Sequence, residues 1–212
     1  MVSWKSHVCC VIDVETTGTE IGYHEIAQLC ILPVDTNFDV RKDVNPLYLH
    51  IRPEHPKRVD PQAMKVNGLS MQKLMSSGID TIAAMNMFER WYNKLVPLNK
   101  GGMHQAKIIP LGHNYCQFDK GMIEAWLAIG GYEYNDFFHW HPRDTQVTGA
   151  YINDRHETRG LEPPFRELNL NYLCNKFGID NENAHDALSD CAVTAKIYKH
   201  MCRMKENSFG AL

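Results

Sequence analysis

Residues 11–18 read Val-Ile-Asp-Val-Glu-Thr-Thr-Gly, and this stretch decides how the rest of the chain is interpreted. Apart from Asp13, residues 8–14 are apolar, which predicts a strand buried on both faces. Asp13 and Glu15 are two residues apart, so their side chains point to the same side of that strand. Two carboxylates held so close repel each other unless a cation lies between them. Their oxygen atoms suit Mg²⁺ or Mn²⁺ better than zinc.

A strand end with two solvated acids is the plainer alternative for this stretch taken alone. Residues 16–18, Thr-Thr-Gly, follow the strand and predict a turn. The backbone amides of that turn are free to meet a ligand, which favours a binding site over a solvated strand end.

The composition is that of an ordinary globular protein, with 212 residues, 44% hydrophobic and 22% charged. This length predicts one domain, covering residues 1–212. The formal net charge of −3 argues against a protein that binds nucleic acid through a strongly basic surface. This net charge is compatible with an enzyme that contacts phosphate groups through bound metal ions.

The seven cysteines include no C-x-x-C pair, and their number is odd. Neither a zinc site nor a disulfide framework is therefore expected. No signal peptide precedes the first strand and no apolar run approaches the length of a membrane span. We expect a cytoplasmic, reducing location and no membrane partner.

Apolar periodicity and turn signals predict three early strands, at residues 8–14, 24–34 and 47–51, in an antiparallel meander. Later strands are expected at residues 107–111 and 137–140. Helices are expected at residues 61–67, 71–75, 81–95, 117–129, 145–151, 168–177 and 185–204. The order predicts an α/β domain with a mixed central sheet flanked by helices. Residues 99–105 and 153–167 are polar connections.

The helix at residues 81–95 carries apolar side chains at helical spacing: Ile82, Met85, Met87, Phe88, Trp91, Tyr92 and Leu95. Its methionines and aromatic residues are expected to face the core.

Two further places join acidic residues with histidine: residues 113–119, His-Asn-Tyr-Cys-Gln-Phe-Asp, and residues 185–190, His-Asp-Ala-Leu-Ser-Asp. Neither is diagnostic alone, because acids are favoured in the first turn of any helix. Together with residues 13–18, however, they resemble the DEDDh (DnaQ-like) family of 3′–5′ exonucleases. That family's motifs are D-x-E-T-T-G, H-N-x-x-F-D and H-x-A-x-x-D, and the second has one extra residue here. Residues 59–69, 143–145 and 168–179 also resemble family segments.

The resemblance implies an RNase H-like exonuclease fold with the first strand in the centre of the sheet. It also implies that two divalent ions, Mg²⁺ or Mn²⁺, are bound by Asp13, Glu15, Asp119 and Asp190. His185 would complete the catalytic set by taking a proton from the attacking water near neutral pH. The expected product is a nucleoside 5′-monophosphate, released from a single-stranded or frayed 3′ end.

The same resemblance implies a set of residues that hold the terminal nucleotide: Thr16, Thr17, Gly18, Asn67, Leu69, Asn114 and Phe118. DNA is the favoured substrate. The alternative within the class is an exoribonuclease like RNase T or oligoribonuclease. Contacts to the 2′-hydroxyl decide between DNA and RNA as substrate. The alternative from a different class is a non-catalytic subunit that binds nucleic acid within a polymerase or nuclease complex. A polymerase or another protein is a possible partner. Residues 99–105 and 153–167 are where substrate choice or a partner contact would be encoded.

Overall fold

The computed structural model describes residues 7–96 and 106–204, so the predicted connection at residues 99–105 lies outside the described residues. Five strands form one sheet in the order β3-β2-β1-β4-β5. β1 pairs antiparallel with β2 and parallel with β4, which makes the sheet mixed and places β1 in its centre. The strands are β1 Val8–Thr16, β2 Ile26–Pro33, β3 Leu47–His50, β4 Ile108–Gly112 and β5 Arg143–Asp144.

Eight α-helices flank this sheet in the described part of the chain: α1 Pro61–Val66, α2 Met71–Ser77, α3 Thr81–Leu95, α4 Asp119–Ile129, α5 Tyr134–Phe137, α6 Thr145–Glu157, α7 Leu170–Phe177 and α8 Ala187–Arg203. Several begin at a side chain that accepts a backbone N–H bond, as Ser70 does from Lys73. α7 ends at Gly178, whose φ of 64° is left-handed. Among the described residues, no helix is long and apolar enough to cross a membrane.

The side chains of β1 alternate between the two faces of the sheet and contribute to a different apolar cluster on each face. Ile12 and Val14 pack in the larger cluster, with residues of α3 and α4. Cys9 and Val11 pack in a second cluster, with residues of α8. Since side chains two residues apart share a face, Asp13 and Glu15 lie on the α8 side of the sheet.

The strand predicted at residues 137–140 is wrong. Residues 134–137 form the short helix α5 instead, and the fifth strand lies later, at Arg143–Asp144. A capping box explains the difference, because the side chains of Glu133 and Asp136 each accept a backbone N–H at the helix start. Only Phe138 makes a strand-like contact in the predicted range, through an isolated bridge to Ile108.

Helix α6 is longer than predicted. It continues past residue 151 to Glu157, so the first part of the polar stretch at residues 153–167 is helical. The side chain of Asn153 bonds both the N–H and the C=O of Phe165, which folds the remaining loop back onto the helix. In α3, the expectation that the methionines and aromatic residues face the core is wrong for Met87, which is exposed.

Candidate active site

The centre of the site is the C-terminal half of β1, where Asp13 and Glu15 point towards α8. Asp119 is the first residue of α4 and is buried, and its Oδ1 accepts the backbone N–H of Val14 at 3.0 Å. Asp190 lies in the first turn of α8 and is also buried. Three separate elements of the fold therefore bring four acidic residues to one point.

Burial raises the pKa values of all four carboxyl groups, and repulsion from other members of the cluster adds to this shift at Asp13 and Glu15. Burial raises the pKa of Asp13 well above its ordinary value, and the charges of Asp119, Glu15 and Asp190 raise it further. Burial, followed by the charge of Asp190, raises the pKa of Glu15 to about 8. Burial is also the main reason that the pKa of Asp119 rises to about 7. Such a cluster binds a divalent cation well, because the cation removes the repulsion.

The pKa of Asp190 is raised by burial, but hydrogen bonds to its carboxylate oppose that shift. The amide of Asn181 donates to Oδ1 at 2.9 Å, and the backbone N–H of His185 donates to Oδ2 at 3.0 Å. These donors favour the charged carboxylate, which is the form that binds a metal ion.

Glu15, His185 and Asp190 each offer a ligand atom, and these atoms lie within 4.8 Å of one another. The two carboxylates of this group suit Mg²⁺ or Mn²⁺, whereas an imidazole nitrogen is more typical of zinc and other transition metals. His185 is exposed and has a φ of 67°, a left-handed conformation that is uncommon for residues other than glycine. Its ring is therefore free to meet a substrate at the edge of the carboxylate cluster.

A cavity of about 330 Å³ opens beside Glu15. Three of the residues predicted to hold a nucleotide line it, namely Thr16, Asn67 and Phe118. The amide nitrogen of Asn67 donates to the carbonyl of Thr16 at 3.0 Å, whereas its Oδ1 is buried without a partner among the described residues. Polar side chains and the Phe118 ring both line this cavity, a combination that suits a nucleoside.

Four other predicted binding residues are not among those that line this cavity: Thr17, Gly18, Leu69 and Asn114. Thr17 is completely buried, and its Oγ1 accepts the N–H of Glu25 at 2.9 Å. Leu69 packs instead against a small apolar cluster that contains Met64 and Leu74. Their roles in binding stay predictions, and the packing of Thr17 and Leu69 favours structural roles.

Gly18 and Asn114 have local conformational reasons for their identity. A Cβ at Gly18 would lie 2.2 Å from the ring of His24, so a side chain there is not accommodated. Asn114 has a φ of 60°, which asparagine tolerates better than most residues. Its N–H lies 3.3 Å from the carboxylate of Asp144.

Asp144 holds the loop between β4 and α4 in place. Its carboxylate accepts the N–H of Cys116 at 3.1 Å and, as the N-cap of α6, the N–H of Gln146 at 2.8 Å. Sequence reasoning gave this aspartate no role beyond a family-like segment, although an acid directly before a helix is a recognisable cap signal. Asp144 thereby orients the turn that leads to Asp119.

A second cavity, of about 350 Å³, lies on the other face of the sheet, where Met122 and Trp126 of α4 contribute to its wall. None of the four clustered carboxylates lines it, so it is separate from the site at β1.

A family model described as an exonuclease of the RNase T type matches residues 10–198. The chain belongs to this exonuclease family. The resemblance to DnaQ-like 3′–5′ exonucleases is thereby confirmed, and the protein is a nuclease. The matched range spans the five residues predicted to form the catalytic set, whose individual roles stay predictions: Asp13, Glu15, Asp119, His185 and Asp190.

Curated relatives of this exonuclease carry different names. Ribonuclease T of Haemophilus influenzae is 24% identical over 198 residues, which cover 90% of this chain and 77% of that protein. The 3′-5′ DNA exonuclease Cap18 of Escherichia coli is 24% identical over 198 residues, which cover 92% of this chain and 91% of that protein. A PolC-type DNA polymerase III of Listeria welshimeri is 27% identical over 205 residues, 94% of this chain but 12% of the polymerase.

Solved structures of exonuclease I have the same fold. One superposes with a TM-score of 0.74 at 22% identity, covering 96% of this chain. A second, Escherichia coli exonuclease I with a dT13 oligonucleotide, gives a TM-score of 0.73 at 21% identity. This chain spans only 42% of the length of either. The expected RNase H-like exonuclease fold is confirmed by this similarity.

Proposed function

We propose that this protein is a 3′–5′ exonuclease that uses two divalent ions to remove nucleoside 5′-monophosphates from single-stranded or frayed 3′ ends of DNA. The convergence of four carboxylates and His185 at the end of β1 is the observation that carries the proposal. The catalytic unit in this proposal is a single domain, residues 1–212.

Asp13, Glu15, Asp119 and Asp190 would hold Mg²⁺ or Mn²⁺. When bound, such ions stabilise negative charge on a phosphate and lower the pKa of water. The repulsion among the four carboxylates supports this assignment, because a buried acidic cluster without a cation is unfavourable. Its members come from β1, α4 and α8, so the fold presents the ligands already arranged.

His185 would accept the proton of the attacking water. Its ring nitrogen lies within 4.8 Å of carboxylate oxygens of Glu15 and Asp190, and the side chain is exposed. A base in this position meets water at the edge of the phosphate site and returns the proton to solvent.

The cavity beside Glu15 would receive the terminal nucleoside. Phe118 offers a ring for stacking on a base, which is tolerant of base identity. The unpartnered Oδ1 of Asn67 is an acceptor for a sugar hydroxyl or base N–H once side chains adjust to a ligand. Sequence-tolerant stacking is what an enzyme that trims successive nucleotides requires.

DNA is favoured because Cap18, named a DNA exonuclease, matches this chain over nearly the whole length of both proteins. Exonuclease I, which shares the fold, binds DNA oligonucleotides in solved structures. RNA is the second candidate, since relatives named ribonuclease T are equally similar in sequence. A non-catalytic role is less well supported, because no member of the catalytic set is replaced.

Two 5′-labelled single strands of one sequence, one DNA and one RNA, test this proposal with Mg²⁺, Mn²⁺ or EDTA. We expect a metal-dependent ladder that shortens from the 3′ end, forming faster on DNA. Faster degradation of the RNA strand would show that RNA, and not DNA, is the preferred substrate. No ladder on either strand would overturn the enzymatic function and favour the binding role.

A further inference from the structure

A polar network joins strands β2 and β3 to the start of α8. Gln28 is 2% exposed, and its Oε1 accepts the N–H of Ala187 at 2.8 Å. Its amide nitrogen donates to the hydroxyl of Tyr48 at 2.7 Å and lies 3.3 Å from Oδ1 of Asp186. The hydroxyl of Tyr48 donates to the same Oδ1. Two side chains of the sheet, those of Gln28 and Tyr48, therefore hold Asp186 in place.

Asp186 directly follows His185, whose backbone is in the left-handed region. The backbone N–H of His185 donates to the carboxylate of Asp190, so a residue of the carboxylate cluster also holds the main chain at residue 185. The side chain of His185 is exposed. Its position thus depends on how the backbone at residue 185 is held more than on packing around the ring.

We infer that Gln28 and Tyr48 are positioning residues for His185. By fixing Asp186, they hold the left-handed backbone of His185 and keep its ring beside Glu15 and Asp190. Neither residue lines the cavity beside Glu15, so the effect is exerted through Asp186 and not through substrate contact. This inference rests on the proposed function, in which His185 acts as the base.

A purely structural role at the start of α8 makes a different prediction. Asp186 already caps α8 through its Oδ2, which accepts the N–H of Ser189 at 3.1 Å. That bond needs neither Gln28 nor Tyr48. Replacing Tyr48 by Phe removes one hydroxyl and leaves the cap intact, so stability and positioning are separable.

The test compares wild type, Tyr48→Phe, His185→Ala and the double variant on a 5′-labelled single-stranded DNA with Mg²⁺. We expect Tyr48→Phe to lower kcat roughly 10- to 100-fold, as small misplacements of a catalytic group do, while KM changes less than about twofold. In the His185→Ala background, the same substitution should change kcat by less than about twofold. Tyr92→Phe is the matched control, because it removes a buried hydroxyl bond, to Ala106, away from the site.

An independent readout is the NMR signal of the His185 ring, assigned by its loss in His185→Ala. It should shift or broaden in Tyr48→Phe and stay unchanged in Tyr92→Phe. Asp186→Asn keeps an acceptor for Tyr48 and a cap for α8, so it should retain more activity than Asp186→Ala. Should Tyr48→Phe fail to fold, Gln28→Met takes its place in the same comparison.

Two results would overturn the positioning role: an unchanged kcat in Tyr48→Phe, or an equal loss with and without His185. An active wild type with either result rejects this inference alone. A wild type without nuclease activity on DNA or RNA rejects the proposed function itself.

Discussion

The backbone N–H of Val14 donates to a carboxylate oxygen of Asp119 at 3.0 Å, across 105 residues of chain. Val14 lies between the two acids of β1, and Asp119 begins α4. The bond therefore joins the strand to the helix at the point where their carboxylates meet. Asp119 has a structural role beside its proposed role as a metal ligand.

Asp119→Asn and Asp119→Ala separate these two roles. Both variants remove the charge and should abolish exonuclease activity. Asparagine keeps an acceptor for the N–H of Val14, whereas alanine leaves that buried donor unpaired, at about 1–3 kcal/mol. Urea unfolding should therefore show Asp119→Ala less stable than Asp119→Asn. Equal stabilities would mean that the bond contributes little to the fold.

The carboxylate cluster should make the metal-free protein less stable as the pH rises. The folded-state pKa of Glu15 is raised to about 8 and that of Asp119 to about 7, above the ordinary values near 4. The folded state therefore binds more protons than the unfolded state, and its stability falls from about pH 4 towards pH 8. Added Mg²⁺ should raise Tm more at pH 8 than at pH 5, because the carboxylates must lose their protons before they bind the ion that stabilises the folded state.

Glu15→Gln is the control for this pH dependence. It removes one of the repelling charges, so the metal-free variant should have a higher Tm than wild type at pH 8 and gain less from Mg²⁺. Thermal unfolding at pH 5 and pH 8, with Mg²⁺ or EDTA, measures all of these differences. A Tm gain that is independent of pH in wild type would show that the cluster does not hold the ion.

Thr17→Val should affect stability and leave substrate binding unchanged. Thr17 is fully buried, and its hydroxyl accepts the N–H of Glu25, which valine leaves unpaired at about 1–3 kcal/mol. The matched variant is Thr16→Val, because Thr16 lines the cavity beside Glu15. We expect a higher KM for Thr16→Val and a wild-type KM for Thr17→Val. A raised KM in Thr17→Val would restore Thr17 as a binding residue.

Phe118→Leu should weaken substrate binding while keeping an apolar side chain against the core. Stacking of a base on an aromatic ring contributes about 1–3 kcal/mol, so KM should rise roughly 5- to 150-fold. Steady-state kinetics on single strands that end in each of the four bases measure this effect. The rise should be similar for all four, and a wild-type KM would assign Phe118 to packing alone.

The local elements of the fold follow from the sequence, because their signals are short-range. The apolar spacing in α3 and the cap at Ser70 predict helices that the structure contains. The side-chain alternation that places Asp13 and Glu15 on one face also depends only on neighbouring residues. For the same reason, the three acidic motifs are recognisable without a structure.

Contacts between distant segments could not be predicted in this way. Gln28 appears as one polar residue in an apolar strand, and only the folded chain brings it to Asp186, 158 residues later. Thr17 looks like Thr16 in sequence and both are buried, yet only Thr16 lines the cavity beside Glu15. Helix α5 was missed because a reciprocal cap stabilises a segment too short for periodicity to reveal.

The most direct test of the central claim is a single DNA strand with a different label at each end, digested by wild type and by Asp13→Asn. Our account predicts that wild type with Mg²⁺ releases the 3′ label first, as a nucleoside 5′-monophosphate. The strand that carries the 5′ label should then shorten stepwise. EDTA or Asp13→Asn should abolish both signals. Early release of the 5′ label, cleavage within the strand, or full activity in Asp13→Asn would contradict the account.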